Sequence, residues 1–377
     1  MKRFASIIPL FTIIITIIFS GTTCFAIDLN AKTGFNYDWW ESDDNDQGSQ
    51  FYVPLQIKGE YNEFSFLMLN AYTYTNSDPS DAEDISLSSI IDTKLNLSYE
   101  MVDKLPVNIL FGLDFNLPTG HTNLDEDDQE LIMDPDLVSI TNFGEGFNVN
   151  PTITAVKEWT KWAAGLGVGY LWRGEYDFNQ ETKDYDPGEV LSLTGEVDYD
   201  FLPDWRARLF GEYAHHTKDQ VDGEDFFQEG DFLLAGLGVH YYQATWDVSA
   251  TVKSIFRDKN KFQEGSHGID TEDKSSYGDE LVVDLFYRYL LNDETTIKTL
   301  FQFLHVKEND YPSDSTYFIG KRQKISLGLG VVRTLGSHFE GELGIKGYIL
   351  DADRNWYHED DLTYKGFSIG GRLTYRF

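Results

Sequence analysis

Apolar and polar positions alternate along most of this chain. In "DLNAKTGFNYDWW", Leu29, Ala31, Thr33, Phe35, Tyr37 and Trp39 share one side, while Asp28, Asn30, Lys32, Gly34, Asn36 and Asp38 share the other. A period of two marks a β-strand with one face in an apolar medium and one in a polar medium. The pattern returns in "IIDTKLNLSYEM" to Met101, "VNILFGLDFNL" from Val107 and "EVLSLTGEVDYDF" from Glu189. It returns again in "WRARLFGEY" from Trp205, "TWDVSATVKSIF" from Thr245 and "ELVVDLFYRYL" from Glu280. Such runs, about nine to twelve residues long, exceed the five or six usual in a soluble sandwich and suit a tilted strand crossing a bilayer.

The connectors alternate as well. Long polar ones lie near 41–50, 76–88, 118–149, 174–188, 214–230, 257–279, 307–320 and 351–362. Short ones lie near 61–63, 102–106, 160–161, 201–204, 243–244, 291–294 and 335–337. Fifteen connectors predict sixteen strands. The fold expected is therefore all-β: a transmembrane antiparallel up-and-down β-barrel with short periplasmic turns and long extracellular loops. Three segments, 64–75, 150–159 and 232–242, alternate poorly, and losing two of them would leave fourteen strands. Closure has a physical cause: lipid satisfies no backbone N–H or C=O, so a membrane sheet must have no edge.

Aromatic residues cluster near the predicted strand ends, among them Trp39, Trp40, Phe51, Tyr52, Trp159, Trp162, Tyr170, Trp172, Trp205, Tyr241, Tyr242 and Trp246. That placement suits rings that settle at membrane interfaces. The chain ends in "KGFSIGGRLTYRF", with Phe367, Ile369, Leu373, Tyr375 and Phe377 on one face. This segment is expected to pair with the strand at Asp28. It resembles the C-terminal recognition strand of bacterial outer-membrane barrels, which implies the barrel assembly machinery as a partner.

Before the first strand, Lys2 and Arg3 precede "IIPLFTIIITIIF" and a cut site at Ala26. Residues 1–26 thus read as a signal peptide rather than an anchor, leaving 27–377 as the barrel, placed in the outer membrane. The single cysteine, Cys24, lies inside that leader, in a "GTTC" context unlike a lipoprotein site. The exported chain then has neither disulfides nor a thiol nucleophile.

Charge adds a direction. The chain carries 63 acidic and 30 basic residues, a net −33, and most of the excess acid falls in the long loops. An acidic rim concentrates cations, bridges through divalent ions to lipopolysaccharide and disfavours nucleic acid. The third long loop, 118–149, is the longest and has no Lys or Arg. It holds Asp125, Glu126, Asp127, Asp128, Glu130, Asp134 and Asp136, together with Leu131, Ile132, Met133, Leu137, Val138, Ile140, Phe143 and Phe147. Its apolar content argues against disorder. It resembles the constriction loop of sixteen-strand general porins, which also follows the fifth strand. The resemblance implies that these acids face lumen-wall cations such as Lys94, Arg206, Arg208, Arg288 and Arg372.

Enzymatic signals are thin. "LDEDDQE" lacks the spacing and the glycine of an EF-hand, so a solvated acidic turn is the better reading. His215, His216 and Asp219 in "AHHTKD", and His121, sit in no recognisable catalytic motif. No enzyme activity, metal or cofactor is expected.

"FGLDFNLPTG" followed by "FGEGFNVNPTI" is similar to an outer-membrane family named for meta-pathway phenol degradation. That resemblance implies a channel for small, aromatic molecules. The reading from charge is a passive channel for small polar or cationic solutes, with the homotrimer common among general porins of this size. The alternatives are a transporter of small hydrophobic or aromatic compounds, or a structural or adhesive barrel with a blocked lumen.

Overall fold

The computed structural model describes residues 27–80, 83–263, 268–355 and 360–377; the leader 1–26 lies outside them. Sixteen staves close into one antiparallel barrel. The first three are Asp28–Ser42, Gln47–Tyr61 and Phe64–Asp78. The fourth comes in two pieces, Ile85–Ile90 and Thr93–Met101, both paired to the third. Then follow Asn108–Leu117, Asn148–Glu158, Trp162–Arg173, Val190–Leu202, Trp205–His216 and Phe232–Tyr242. The last six are Trp246–Arg257, Glu280–Asn292, Thr295–Val306, Arg322–Thr334, Phe339–Ala352 and Leu362–Arg376. The three poorly alternating segments are all staves, so the count is sixteen and not fourteen.

The sixteenth stave closes on the first, in a register running from Asn30↔Arg376 to Ser42↔Tyr364. That supplies every rung a lipid-facing edge would lack. Large apolar side chains point outward and stay exposed, Leu209 at 59%, Leu327 at 64% and Leu343 at 64%, because lipid and not protein covers them. Near the short turns, outward rings form a girdle: Trp162 stacks on Tyr199 at 4.0 Å, while Trp205 meets Tyr241 at 4.6 Å and Phe339 meets Tyr375 at 4.8 Å with their rings tilted. The turns themselves are tight. Asn62 at φ 51° and Asp204 at φ 66° occupy the left-handed region that Asn and Asp tolerate better than most residues.

Two sequence expectations differ from the structure. The first two long loops are shorter than read, the first only residues 43–46, because the strands continue beyond the apolar belt into polar sequence. Trp40, Tyr52 and Tyr242 are not belt residues, the last lying opposite Asp247 on the inner face of its stave. Even positions of the first two staves face inward, and Trp40 is buried at 6% exposure. Above the barrel mouth, five short strands from three loops (Tyr185–Asp186, Asp219–Val221, Glu224–Gln228, Lys261–Gln263 and Ile269–Thr271) form a small second sheet.

Candidate functional site

The two halves of the sequence motif are the two feet of one loop. Gly120, the glycine of "PTG", donates its N–H to Asp92 Oδ1 at 2.7 Å. Glu145, in "FGEGFNVN", donates its N–H to Asp92 Oδ2 at 2.7 Å. Asn116 Nδ2 donates both to Asp92 Oδ2 at 2.6 Å and to the carbonyl of Gly146 at 2.7 Å. One buried carboxylate thus clasps both ends of the segment between the fifth and sixth staves. It can do so because the fourth stave breaks at Ile91 and Asp92. The glycine is required: a Cβ at position 120 would sit 2.0 Å from the Phe143 carbonyl and 2.8 Å from Asp92.

From these feet the loop runs inside the barrel mouth. Its apolar residues Leu124, Leu131, Met133, Leu137, Val138 and Phe143 pack with Trp40, Leu87, Tyr348 and Leu350, which project from the first, fourth and fifteenth staves. Leu131 and Phe143 are wholly buried. Polar contacts fix the far end. Ser139 donates its N–H to Asp38 Oδ2 at 3.1 Å. Gln50 accepts from the Ile140 N–H at 2.7 Å and donates back to the Ile140 carbonyl at 2.8 Å. The Tyr348 hydroxyl donates to the Leu137 carbonyl at 3.1 Å. Arg322, on the fourteenth stave, grips Asp134 at 2.8 and 3.2 Å and also binds Asp136. Lys324 donates to the Asp136 carbonyl and lies 3.6 Å from its carboxylate.

The acids of the loop therefore divide into two groups. Asp134 and Asp136 reach the inner wall and are neutralised there by Arg322 and Lys324. Asp125, Glu126, Asp127, Asp128 and Glu130 stay together around a five-residue helix, Glu126–Glu130, capped by Asp125, which accepts the Asp128 N–H at 2.9 Å. Burial, with Asp125 and Asp127 nearby, holds the Asp128 carboxyl above its ordinary value. Asn179 ties this region to the next loop by donating to Gln129 Oε1 at 2.7 Å.

The named wall cations do not hold the loop. Arg206 binds Asp200 at 2.8 Å, Arg208 bridges Glu196 at 3.3 Å and Asp198 at 3.1 Å, and Arg288 binds Asp247 at 2.5 Å. Lys94 faces a 420 Å³ recess with Asn96, Asp114, Leu67, Leu69 and Leu171. Arg372 lines another recess, whose lining includes Ser139 of the loop. None of the five is bonded to an acid of the loop among the described residues. Of the residues that do hold the loop (Asp92, Asn116, Asp38, Gln50, Arg322, Lys324 and Tyr348), Asp38 and Asp92 read in sequence as polar-face positions, Gln50 falls in the first expected connector, and Arg322, Lys324 and Tyr348 carry no signal that singles them out.

The histidines do not converge. His215 pairs with Asp231 at 2.7 Å and His216 approaches Glu229 at 3.7 Å, while Asp219 accepts from the Tyr185 hydroxyl at 2.5 Å and the Gly188 N–H at 2.7 Å. Burial and that hydrogen bond push the Tyr185 phenol well up, keeping it a donor. Among the described residues no group of three or more His, Cys, Asp or Glu side chains is placed to hold a metal.

Solved outer-membrane barrels resemble this one in fold. An anion-selective porin from Comamonas acidovorans is 12% identical over 93% of this chain and 99% of its own, with a TM-score of 0.43. The TodX monoaromatic hydrocarbon channel, as a deltaS2 mutant, is 10% identical over 94% and 91%, with a TM-score of 0.46. The toluene transporter TbuX of Ralstonia pickettii is 11% identical over 93% and 90%, with a TM-score of 0.42. At these identities the likeness concerns the fold alone. No curated protein matches the sequence. The family model described as "Putative MetA-pathway of phenol degradation" matches residues 20–268, about two thirds of the chain and both feet of the loop, so this outer-membrane β-barrel belongs to that family.

Proposed function

We propose that the barrel is an outer-membrane channel for small organic solutes, aromatic compounds among them, and that residues 118–147 narrow it. The observation that carries this reading is the loop's course, clasped by Asp92 at the break in the fourth stave and bonded to Asp38, Gln50, Arg322 and Tyr348 on the first, second, fourteenth and fifteenth staves. Sixteen-stranded barrels enclose more space than wall side chains fill, so a chord of chain sets the passage. Two features favour organic solutes over simple cations. The acids of the loop that reach the wall are already paired. The inner wall also carries apolar side chains, Phe210, Leu234, Phe286 and Leu300, between its ion pairs. The family description points the same way. Assembly through Phe367, Ile369, Leu373, Tyr375 and Phe377, association into trimers and divalent-ion bridging from the acidic crown to lipopolysaccharide belong to the same reading.

The test is reconstitution. Purified barrel in planar bilayers should give discrete single-channel steps, and proteoliposomes should admit phenol-sized aromatics faster than equally sized sugars. Replacing residues 123–141 by a short Gly-Ser link, with both feet kept, should raise conductance about twofold or more. Absence of any current would overturn the channel, and unchanged conductance would overturn the narrowing role of the loop.

A further inference from the structure

Beneath the loop tip, the inner wall opens into a recess of about 310 Å³ spanning the twelfth to sixteenth staves and the first. Its lining is mixed. Phe286 and Leu300 form an apolar end, and they are direct cross-strand partners. Lys298, Lys346 and Arg372 supply charge, with Ser368 and Ser139 beside them. Glu342, the one acid in the lining, is held by Lys298 at 3.0 Å. Asp38 lies next to Ser368 across the closing seam, but it is buried and takes the Ser139 N–H. Arg288, beside Lys298, is paired with Asp247, and Lys324, beside Lys346, is paired with Asp136. Lys346 and Arg372 are left without an ion-pair partner among the described residues.

The floor between those two cations is bare on the fourteenth and fifteenth staves, whereas Asn36 Oδ1 covers Gly370 on the sixteenth. Lys346 stands opposite Ser368 and Arg372 opposite Glu342, with Gly344 opposite Gly370 on the rung between them. Gly330 continues that rung on the fourteenth stave. Packing does not demand glycine at all of these positions. A Cβ at Gly344 would meet nothing nearer than 3.6 Å, and one at Gly330 nothing nearer than 3.5 Å. At Gly330 and Gly344 the missing side chains leave space rather than relieve a clash, while glycine at 370 makes room for Asn36, whose Oδ1 lies 2.0 Å from where a Cβ would stand. Along the strand, four residues separate the levels of the cations by roughly 13 Å, within the combined reach of two long side chains bending over the glycine rung.

We infer that this recess binds a small organic carboxylate, its oxygens between Lys346 and Arg372 and its apolar body against Phe286 and Leu300. Two like charges beside an open hollow leave a local surplus that an anion satisfies. The adjacent apolar pair selects an anion with a hydrocarbon or aromatic body over an inorganic one. The inference deepens the channel reading and rests on it for access, since the site opens only to the lumen.

Benzoate is the probe, measured by calorimetry on the detergent-folded barrel at low salt with empty micelles as the blank. Saturable binding is expected, at least about tenfold tighter than acetate, which lacks the body, or benzyl alcohol, which lacks the charge. The pair Lys346→Gln and Arg372→Gln should weaken benzoate about tenfold or more. So should Gly344→Val, which fills the hollow without changing charge and whose folding is checked by heat-modifiable gel mobility. Raising salt should weaken the wild type more than the charge-stripped variant. No saturable binding, or equal affinity in wild type and both variants, overturns the site. A barrel that conducts but does not bind benzoate defeats this inference and leaves the channel reading standing. One that binds and does not conduct does the reverse.

Discussion

Asp92 shows how much one carboxylate can organise. It is buried, faces the lumen, and accepts hydrogen bonds from Gly120, Glu145 and Asn116 at 2.6 to 2.7 Å. Removing it leaves backbone donors at both feet of the loop without an acceptor, at about 1–3 kcal/mol each. Asp92→Ala should therefore release the loop while leaving the ladder intact. Limited proteolysis of the folded barrel should cut within 118–147 in the variant and not in the wild type, with heat-modifiable mobility unchanged. Equal protection would mean that the clasp contributes nothing. In the sequence, Asp92 was legible as inward-facing from its parity with Lys94 and Asn96. Its partners were not legible, because two of the three donors are backbone or lie 28 and 53 residues away in sequence. The glycine of "PTG" was visible as a motif, and its reason appears only with the Phe143 carbonyl beside it.

At the scale of the element, the loop behaves as a small core inserted into the barrel. Leu131 is fully buried against side chains from the barrel wall, whereas Ile132, its neighbour, is exposed at 38%. Leu131→Ala should cost about 2–5 kcal/mol of local stability, since the surrounding staves cannot collapse into the space. The loss belongs to the loop: hydrogen exchange of amides between 124 and 141 should accelerate, and exchange of the stave amides should not. Acceleration spread evenly through the barrel would refute a separately folding element. Apolar residues without period, in an otherwise acidic loop, were enough to say that it packs on something. They did not say on what, because Trp40 looks like an interface aromatic until stave parity turns it inward. The strand count, by contrast, was legible from the connectors even where the alternation of 64–75, 150–159 and 232–242 left fourteen strands open. The first loop was misjudged for a physical reason. A strand that has left the lipid keeps its hydrogen bonds to its neighbour but no longer needs an apolar outer face.

For the whole molecule, everything depends on the seam between the first and last staves, because an unpaired edge in lipid leaves each N–H and C=O unsatisfied. The seam is unusually close at one rung. Gly34 pairs with Arg372, and a Cβ on Gly34 would lie 1.9 Å from the Gly371 carbonyl oxygen. Gly330 sits on the inner face of the same barrel with nothing nearer than 3.5 Å to such an atom. The same substitution should thus have opposite consequences. Gly34→Ala must push the closing staves apart, at about 1–3 kcal/mol, and should lower both the yield of the heat-modifiable folded band and the temperature at which it is lost. Gly330→Ala should leave both unchanged or slightly improved, since alanine reduces the freedom of the unfolded chain at a strand position. If the two variants behaved alike, glycine at position 34 would reflect general strand flexibility and not the geometry of closure. The pair separates those causes because both residues face the lumen, and they differ only in whether the neighbouring backbone leaves room.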